Sequence, residues 1–143
     1  MGHEGEGSLL SQLKSEGLAE GLSAGSGLAW RGGALFSINV SLSEKGVSQY
    51  QRVLQLLFSY LDMLREAGPV ESLFDEQSQL AALQFRFKED SEPMGYVSGL
   101  ASGMHYYNAR DLLQGPYQMT EFNAAMLREL LASVVAENAL VTL

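Results

Sequence analysis

The chain of 143 residues has no cysteine and only two histidines. Without cysteine there are no disulfides and no thiolate chemistry, which fits a reducing compartment, so we expect a cytoplasmic location. A zinc site needs three or four converging ligands, and neither His3 nor His105 has a second histidine three or four residues away. We therefore expect no cofactor in this chain; the alternative is a set of His and Glu ligands dispersed along it.

Basic residues are also scarce. Lysine and arginine number 9 against 17 acidic residues, giving a net charge of −8. Nucleic-acid binding needs clustered Lys and Arg, so we expect no nucleic-acid partner. No apolar run reaches transmembrane length, so we expect no membrane partner either. Charged residues make up 18% of the chain, fewer than a free protein surface usually carries, so we expect another part of a larger protein to cover some of this surface.

Hydrophobic residues form 46% of the chain, enough for a core, and the length suits one domain over residues 1–143. Apolar periodicity predicts five helices, with Ser8, Ser43 and Thr120 as N-caps. They cover about residues 8–16, 43–67, 70–87, 93–104 and 120–134. Alternating apolar residues predict a strand over 36–42 with one buried face. The glycine-rich stretch 18–33 predicts two short strands or a strand and a loop, and NALVTL (138–143) predicts a short terminal strand.

Motifs for self-contained catalysis are missing. There is no G-x-S-x-G elbow, and GSGLAWRGG lacks the G-K-[ST] ending of a phosphate loop, so a turn or hairpin is favoured there over a nucleotide cradle. Glu4 and Glu6 suit either a metal or amine site or, more simply, a solvated terminus. The FRFK segment lies at a predicted helix end. A favourable interaction of Arg86 and Lys88 with the helix dipole explains this pattern better than stacking with nucleic acid does.

A series of short motifs carries more information. HEGEGSLLSQLK is followed by FSINVSL, YLDMLREAGP, FRFK with a proline and GY after it, and HYY. This order closely resembles the insulysin/pitrilysin family of zinc metallopeptidases, over nearly the whole chain. The resemblance falls on the later part of the second, non-catalytic domain of the family's amino-terminal half. It implies an α+β two-layer fold, with an antiparallel-rich sheet and about five helices packed on one side.

The family's catalytic H-x-x-E-H motif belongs to its first domain and does not occur in this chain. The resemblance therefore implies a truncated, non-catalytic domain over residues 1–143, whose parent holds zinc in the first domain. The resemblance also implies an enclosed chamber formed by two halves of the parent, with this domain as part of the chamber wall. The implied partners are the remaining domains of that parent and its peptide substrates. A third hypothesis, that this chain is a self-contained enzyme, is the one we expect least.

In the insulysin branch this region forms an exosite that anchors the amino terminus of a peptide substrate away from the zinc. An extended peptide can add to a free strand edge through main-chain hydrogen bonds, and Glu4 can accept the terminal ammonium. The alternative is an edge covered by the rest of the protein, and an exposed edge would also permit self-association. The resemblance places the exosite on seven residues: Gly2, Glu4, Leu22, Ser23, Ala24, Gly25 and Ser26.

Two departures from the insulysin pattern limit what the resemblance implies. Glu92 and Met94 stand where that branch carries arginines linked to polyanion binding, so we expect no polyanion or nucleotide activation through this segment. The family also includes members without peptidase activity. The rival hypothesis is accordingly a structural or assembly domain of a catalytically silent member.

Overall fold

The computed structural model of the chain describes residues 5–30, 32–89 and 92–143. Within these ranges there are six α-helices and one two-stranded antiparallel sheet, which confirms the expected α+β class. One compact unit holds the described residues up to Ala67 together with Leu130–Leu143, and the other holds those of Gly68–Glu129. The elements are α1 Leu9–Ser15, β1 Ala19–Trp30, β2 Gly33–Leu42, α2 Glu44–Ser48, α3 Tyr50–Ala67, α4 Glu71–Arg86, α5 Pro93–Gly103 and α6 Ala124–Ser133.

Helix α1 forms where local sequence rules place it. The Ser8 hydroxyl accepts a hydrogen bond from the Ser11 N–H at 3.1 Å, which satisfies one of the free donors at the helix start. At the other end Gly17 has φ +68°, a left-handed conformation that costs glycine little and terminates the helix. Both boundaries confirm the sequence prediction.

Strands β1 and β2 form one long hairpin, paired from Ala19 opposite Leu42 to Trp30 opposite Gly33. Of the two alternatives predicted for residues 18–33, two short strands is therefore wrong, whereas a strand and a loop agrees with β1 followed by the turn at Gly32. Glycine disfavours strands in isolation, but here β2 supplies pairing partners along the whole of β1.

The core of this unit lies at the root of the hairpin, where α1 and α3 meet it. Its buried apolar residues come from α1, from the residues at and just before the start of β1, and from α3. They are Leu9, Leu13, Leu18, Ala19 and Val53. Leu22 and Val40, which pair across the hairpin, are half-buried against this core. Phe36, farther out, is 50% exposed, so the expected buried face of β2 is covered only near the root.

The predicted long helix from Ser43 is interrupted. The Ser43 hydroxyl accepts from the Gly46 N–H at 3.0 Å and caps α2, but Gln49 then leaves helical geometry (φ −118°, ψ 32°) before α3 begins. The far end agrees with the prediction, since Gly68 (φ +70°) and Pro69 follow the last residue of α3.

The second unit contains α4, α5 and the turns that follow them. Pro93 occupies the first turn of α5, as predicted, and the Glu92 carboxylate caps the helix by accepting from the Gly95 N–H at 3.2 Å. Aromatic pairs pack within the unit: the ring centroids of Phe74 and Phe122 lie 5.6 Å apart.

Two predictions for the carboxyl-terminal third are wrong. Helix α6 is capped by Asn123, whose Oδ1 accepts from the Met126 N–H at 2.9 Å, and not by Thr120, because the helix begins four residues after Thr120. Residues 139–143 form no strand, since among the described residues nothing pairs with them.

Candidate peptide-docking edge

A set of hydrogen bonds fixes the root of the hairpin to the end of α1. The carbonyl of Glu16 accepts from Lys45 Nζ at 2.7 Å, and that of Gly17 accepts from the Ser43 hydroxyl at 2.7 Å. The Leu18 carbonyl accepts from the Ser43 N–H at 3.1 Å. Carbonyls at a helix end have no partner within the helix, so the segment after β2 satisfies the end of α1 and holds the start of β1 in place.

This junction is packed closely enough to require glycine in α2. A Cβ atom added to Gly46 would lie 1.9 Å from the Leu18 carbonyl oxygen and 3.3 Å from Leu42 Cβ. The missing side chain thus lets α2 approach the backbone that leads into β1.

An ion pair joins α3 to the same junction. Arg52 donates from Nη2 to Glu16 Oε1 at 3.0 Å and from Nε to Oε2 at 3.2 Å. The Arg52 hydrogen bond, helped by one from Gln12, lowers the pKa of Glu16, and the same pairing raises the pKa of Arg52. Both side chains are partly exposed, so the pair orients the junction more than it stabilises the fold.

Beyond the junction, β1 offers a strand edge. One side of β1 pairs with β2, and no other described strand pairs with its opposite side. In an extended strand, alternate backbone N–H and C=O groups point toward such an outer edge, so it can accept another strand. Leu22 and Ala24 are half-buried on the core-facing side, whereas Ser23, Gly25 and Ser26 are exposed.

The pairing of β1 with β2 shifts register at two places, between Ala19 and Gly21 and between Ser26 and Leu28, and the second shift is a bulge that reverses the facing of β1 near the tip. Ser26 pairs with Phe36 and Leu28 with Leu35, so β1 advances two residues while β2 advances one. The extra residue is Gly27, where a Cβ atom would come within 2.8 Å of Ser37 Oγ. Because one inserted residue reverses the alternation, Leu28 lies on the opposite face of the hairpin from Ser26.

Of the seven predicted exosite residues, the five from Leu22 to Ser26 lie together on β1 beside its unpaired edge. Gly2 and Glu4 lie outside the described residues. The assignment of an exosite to these positions stays a prediction.

The second unit contains a cavity of about 240 Å³. Its lining carries no formal charge: Ser78, Ala82, Phe85, Gln114, Tyr117, Gln118, Met119 and Thr120. The basic residues of FRFK lie beside aromatic rings, with Lys88 Nζ 6.0 Å from the ring centroid of Tyr117 and Arg86 over Phe87 at 5.8 Å. These contacts belong to the packing of the helix end.

The part of the chain that the structure describes brings together no group of three His, Asp or Glu side chains able to hold a metal ion. A zinc ion therefore has no fitting ligand set among these residues. None of the described helices is both long enough and apolar enough to span a membrane.

Two models of known protein families match this chain, one toward each end. Residues 1–80 match the family model described as the peptidase M16 inactive domain, and residues 85–143 match the middle or third domain of peptidase M16. The chain belongs to the peptidase M16 family. The two matches adjoin within α4, and a single domain over 1–143 stays a prediction.

Individual M16 relatives agree with this membership. The human insulin-degrading enzyme is 39% identical over 96% of the chain, and the peroxisomal insulin-degrading enzyme-like protein 1 of Arabidopsis thaliana is 36% identical over 96%. The crystal structure of pitrilysin superimposes on 96% of the chain with a TM-score of 0.90 and 31% identity. These findings confirm the insulysin/pitrilysin resemblance. The chain spans only about 14% of the length of the two relatives and 15% of the pitrilysin chain.

Several residues that shape this edge were not found from the sequence. Glu16 and Arg52 are 36 positions apart, and no local pattern links them. The bulge at Gly27 and the junction role of Gly46 depend on the partner strand and on Leu18. The signal that could have suggested them is glycine inside an otherwise regular element, which often marks a bulge or a close backbone approach.

Proposed function

We propose that this chain is the substrate-docking part of an insulysin-like zinc metalloendopeptidase, in which the outer edge of β1 binds the amino-terminal segment of a peptide by strand addition. The zinc and the residues that cleave the peptide belong to the first domain of the parent protein. The chain itself binds and positions; it does not cleave. The single observation that carries this proposal is the unpaired edge of β1 among the described residues, beside Leu22–Ser26.

The composition of this edge supports peptide binding. From Leu22 to Ser26 the side chains are small except for Leu22, and none is charged. Small side chains allow a second backbone to approach, and main-chain hydrogen bonds favour no particular peptide sequence. The junction at Ser43 and Lys45 holds the strand in a preformed geometry, which lowers the entropic cost of binding.

Capture of the amino terminus is assigned to Gly2 and Glu4. A carboxylate that accepts from an ammonium group makes a charge-assisted hydrogen bond, which contributes about 1.5–3 kcal/mol. A peptide with a free amino terminus should therefore bind the full chain at least about tenfold more tightly than its acetylated form. Isothermal titration calorimetry with the two peptides measures this difference.

A matched variant separates the two parts of the proposal. Glu4→Gln removes the carboxylate charge, so it should abolish the preference for the free amino terminus while leaving the acetylated peptide bound as before. Equal binding of both peptides to the unaltered chain would contradict amino-terminal capture.

Strand addition itself is tested by removing the peptide's hydrogen-bond donors. N-methylation of two consecutive residues in the docked segment blocks both edges of the peptide strand, and we expect it to abolish binding. The same two methyl groups placed outside the docked segment are the control. Unchanged affinity after methylation inside the segment would rule out pairing with β1.

The rival function is a structural or assembly domain of a catalytically silent M16 protein. Its support is the large apolar surface of α4, where Leu73, Leu80 and Leu83 are all at least 44% exposed. An intact H-x-x-E-H motif in the first domain of the parent favours the peptidase, and its loss favours the rival.

A further inference from the structure

We propose that Leu28, Trp30 and Leu35 form a side-chain subsite, the tip patch, that selects peptides with apolar side chains at positions i and i+2. This inference rests on the proposed docking of a peptide along β1. It adds a substrate class to a function that main-chain pairing alone leaves open to any sequence.

The tip patch arises from the bulge at Gly27. Because the bulge reverses the facing of β1, Leu28 and Trp30 lie on the same face as their partners Leu35 and Gly33. The exposed fractions are 60% for Leu28, 51% for Trp30 and 55% for Leu35. Three large apolar side chains are therefore open to solvent on one face of the hairpin.

Glycine makes room for the indole in this patch. A Cβ atom at Gly33 would lie 3.1 Å from Trp30 Cζ2, so the ring of Trp30 lies against the backbone of β2. This contact gives the ring a defined position while half of its surface stays exposed. A side chain that docks beside it meets a preformed surface.

The tip patch lies on the same strand as the proposed docking edge, so we expect the same docked peptide to bind it. Leu28 and Trp30 belong to the same strand as Leu22–Ser26, and a strand advances about 3.3 Å per residue. A peptide strand of about seven residues that pairs from Leu22 onward must therefore reach Leu28. Side chains directly opposite each other on neighbouring strands have Cβ atoms about 5 Å apart, so those of the peptide would contact the patch.

The chemistry and spacing of the ligand follow from the same register. Leu28 and Trp30 are two residues apart, and residues from Leu22 to Trp30 carry no charged side chain. A peptide strand matches this pattern when its apolar residues also stand two apart, because only those share one face. The half of β1 before the bulge has mostly small side chains, so selection is confined to the tip.

The test uses three peptides of equal length with a free amino terminus. One is polar throughout, one carries two leucines at i and i+2, and one carries them at i and i+3, on opposite faces. Trp30 is the single tryptophan of the chain, so its fluorescence reports docking at the tip directly. Titration of the full chain should show the i,i+2 peptide binding about threefold to tenfold more tightly than the other two.

A pair of leucine variants provides the control. Leu28→Ser should remove the preference for the i,i+2 peptide. Leu73→Ser changes a leucine of almost equal exposure on α4, 59% against 60%, and should leave the preference intact. Because both side chains are exposed, neither substitution is expected to unfold the chain.

Each other outcome has a distinct meaning. Equal binding of all three peptides, or a preference that survives Leu28→Ser, overturns the tip patch and leaves the docking edge standing. Failure of every peptide to bind overturns the docking edge and the patch together. Dimerisation of the chain that Leu28→Ser abolishes and Leu73→Ser does not would assign the patch to a second copy and overturn the peptide subsite.

Discussion

Replacement of Gly46 by alanine should destabilise the fold, although alanine is the better helix former. The new Cβ atom would lie 1.9 Å from the Leu18 carbonyl oxygen, whereas ordinary contacts between carbon and oxygen lie at about 3.3 Å or more. The two groups must therefore separate by about 1.4 Å. The Leu18 carbonyl also accepts from the Ser43 N–H at 3.1 Å, so this movement breaks that hydrogen bond.

The expected magnitude combines three contributions. Overpacking of a close contact costs about 1–3 kcal/mol, and the lost hydrogen bond costs about 1 kcal/mol. Alanine regains about 1 kcal/mol of helix propensity relative to glycine. The free energy of unfolding should therefore fall by about 1–3 kcal/mol, measured by urea unfolding followed by far-UV circular dichroism.

Gly99→Ala is the matched control, because it is the same substitution inside helix α5. A Cβ atom at Gly99 meets nothing within 4 Å, so the variant should gain up to about 1 kcal/mol of stability. A Gly46→Ala variant as stable as the unaltered chain would refute the close approach of α2 to the start of β1. Equal destabilisation by both variants would show that the cost does not come from the Leu18 carbonyl.

Three further predictions concern the core, the ion pair and a helix cap. Leu13 is fully buried, so Leu13→Ala should lower the free energy of unfolding by about 2–5 kcal/mol in urea titrations; a change below about 1 kcal/mol would contradict its place in the core. Arg52 lowers the pKa of Glu16 from its ordinary value of 4.5, so their pairing stabilises the fold above that pH and is lost as the pH falls through the lowered value. The melting temperatures of the unaltered chain and of the Arg52→Met variant should therefore converge as the pH falls below 4.5. A difference in melting temperature that is constant with pH would count against the ion pair. Asn123→Ala should cost about 1 kcal/mol in thermal unfolding because it removes the cap of α6, whereas Thr120→Ala should cost nothing measurable; the reverse order would restore Thr120 as the cap.

Local sequence rules were sufficient where one segment supplies all the partners. Ser8 and Gly17 bound α1 as predicted, and Pro93 begins α5, because caps and backbone preferences act within a few residues. The same rules failed at Thr120, since several residues before α6 could cap it and only the observed start selects Asn123.

Family resemblance supplied the candidate site, which local rules did not reach. The motif series identified the region and proposed Leu22–Ser26, and the hairpin brings these five residues to an edge unpaired within the described part of the chain. The resemblance gave no indication of the tip patch. The sequence favoured a turn or hairpin for the segment that contains Leu28, but it did not give the register that pairs Leu28 with Leu35.

The amino-acid sequence by itself determined the family, the α+β class, most helix boundaries and the lack of an H-x-x-E-H motif. Only the tertiary structure decided that residues 19–30 are one strand, that the bulge at Gly27 reverses its facing, and that Glu16 meets Arg52. The physical reason is the distance over which each interaction acts. Capping and periodicity are satisfied by neighbours along the chain, whereas strand register and ion pairing depend on residues brought together only by folding.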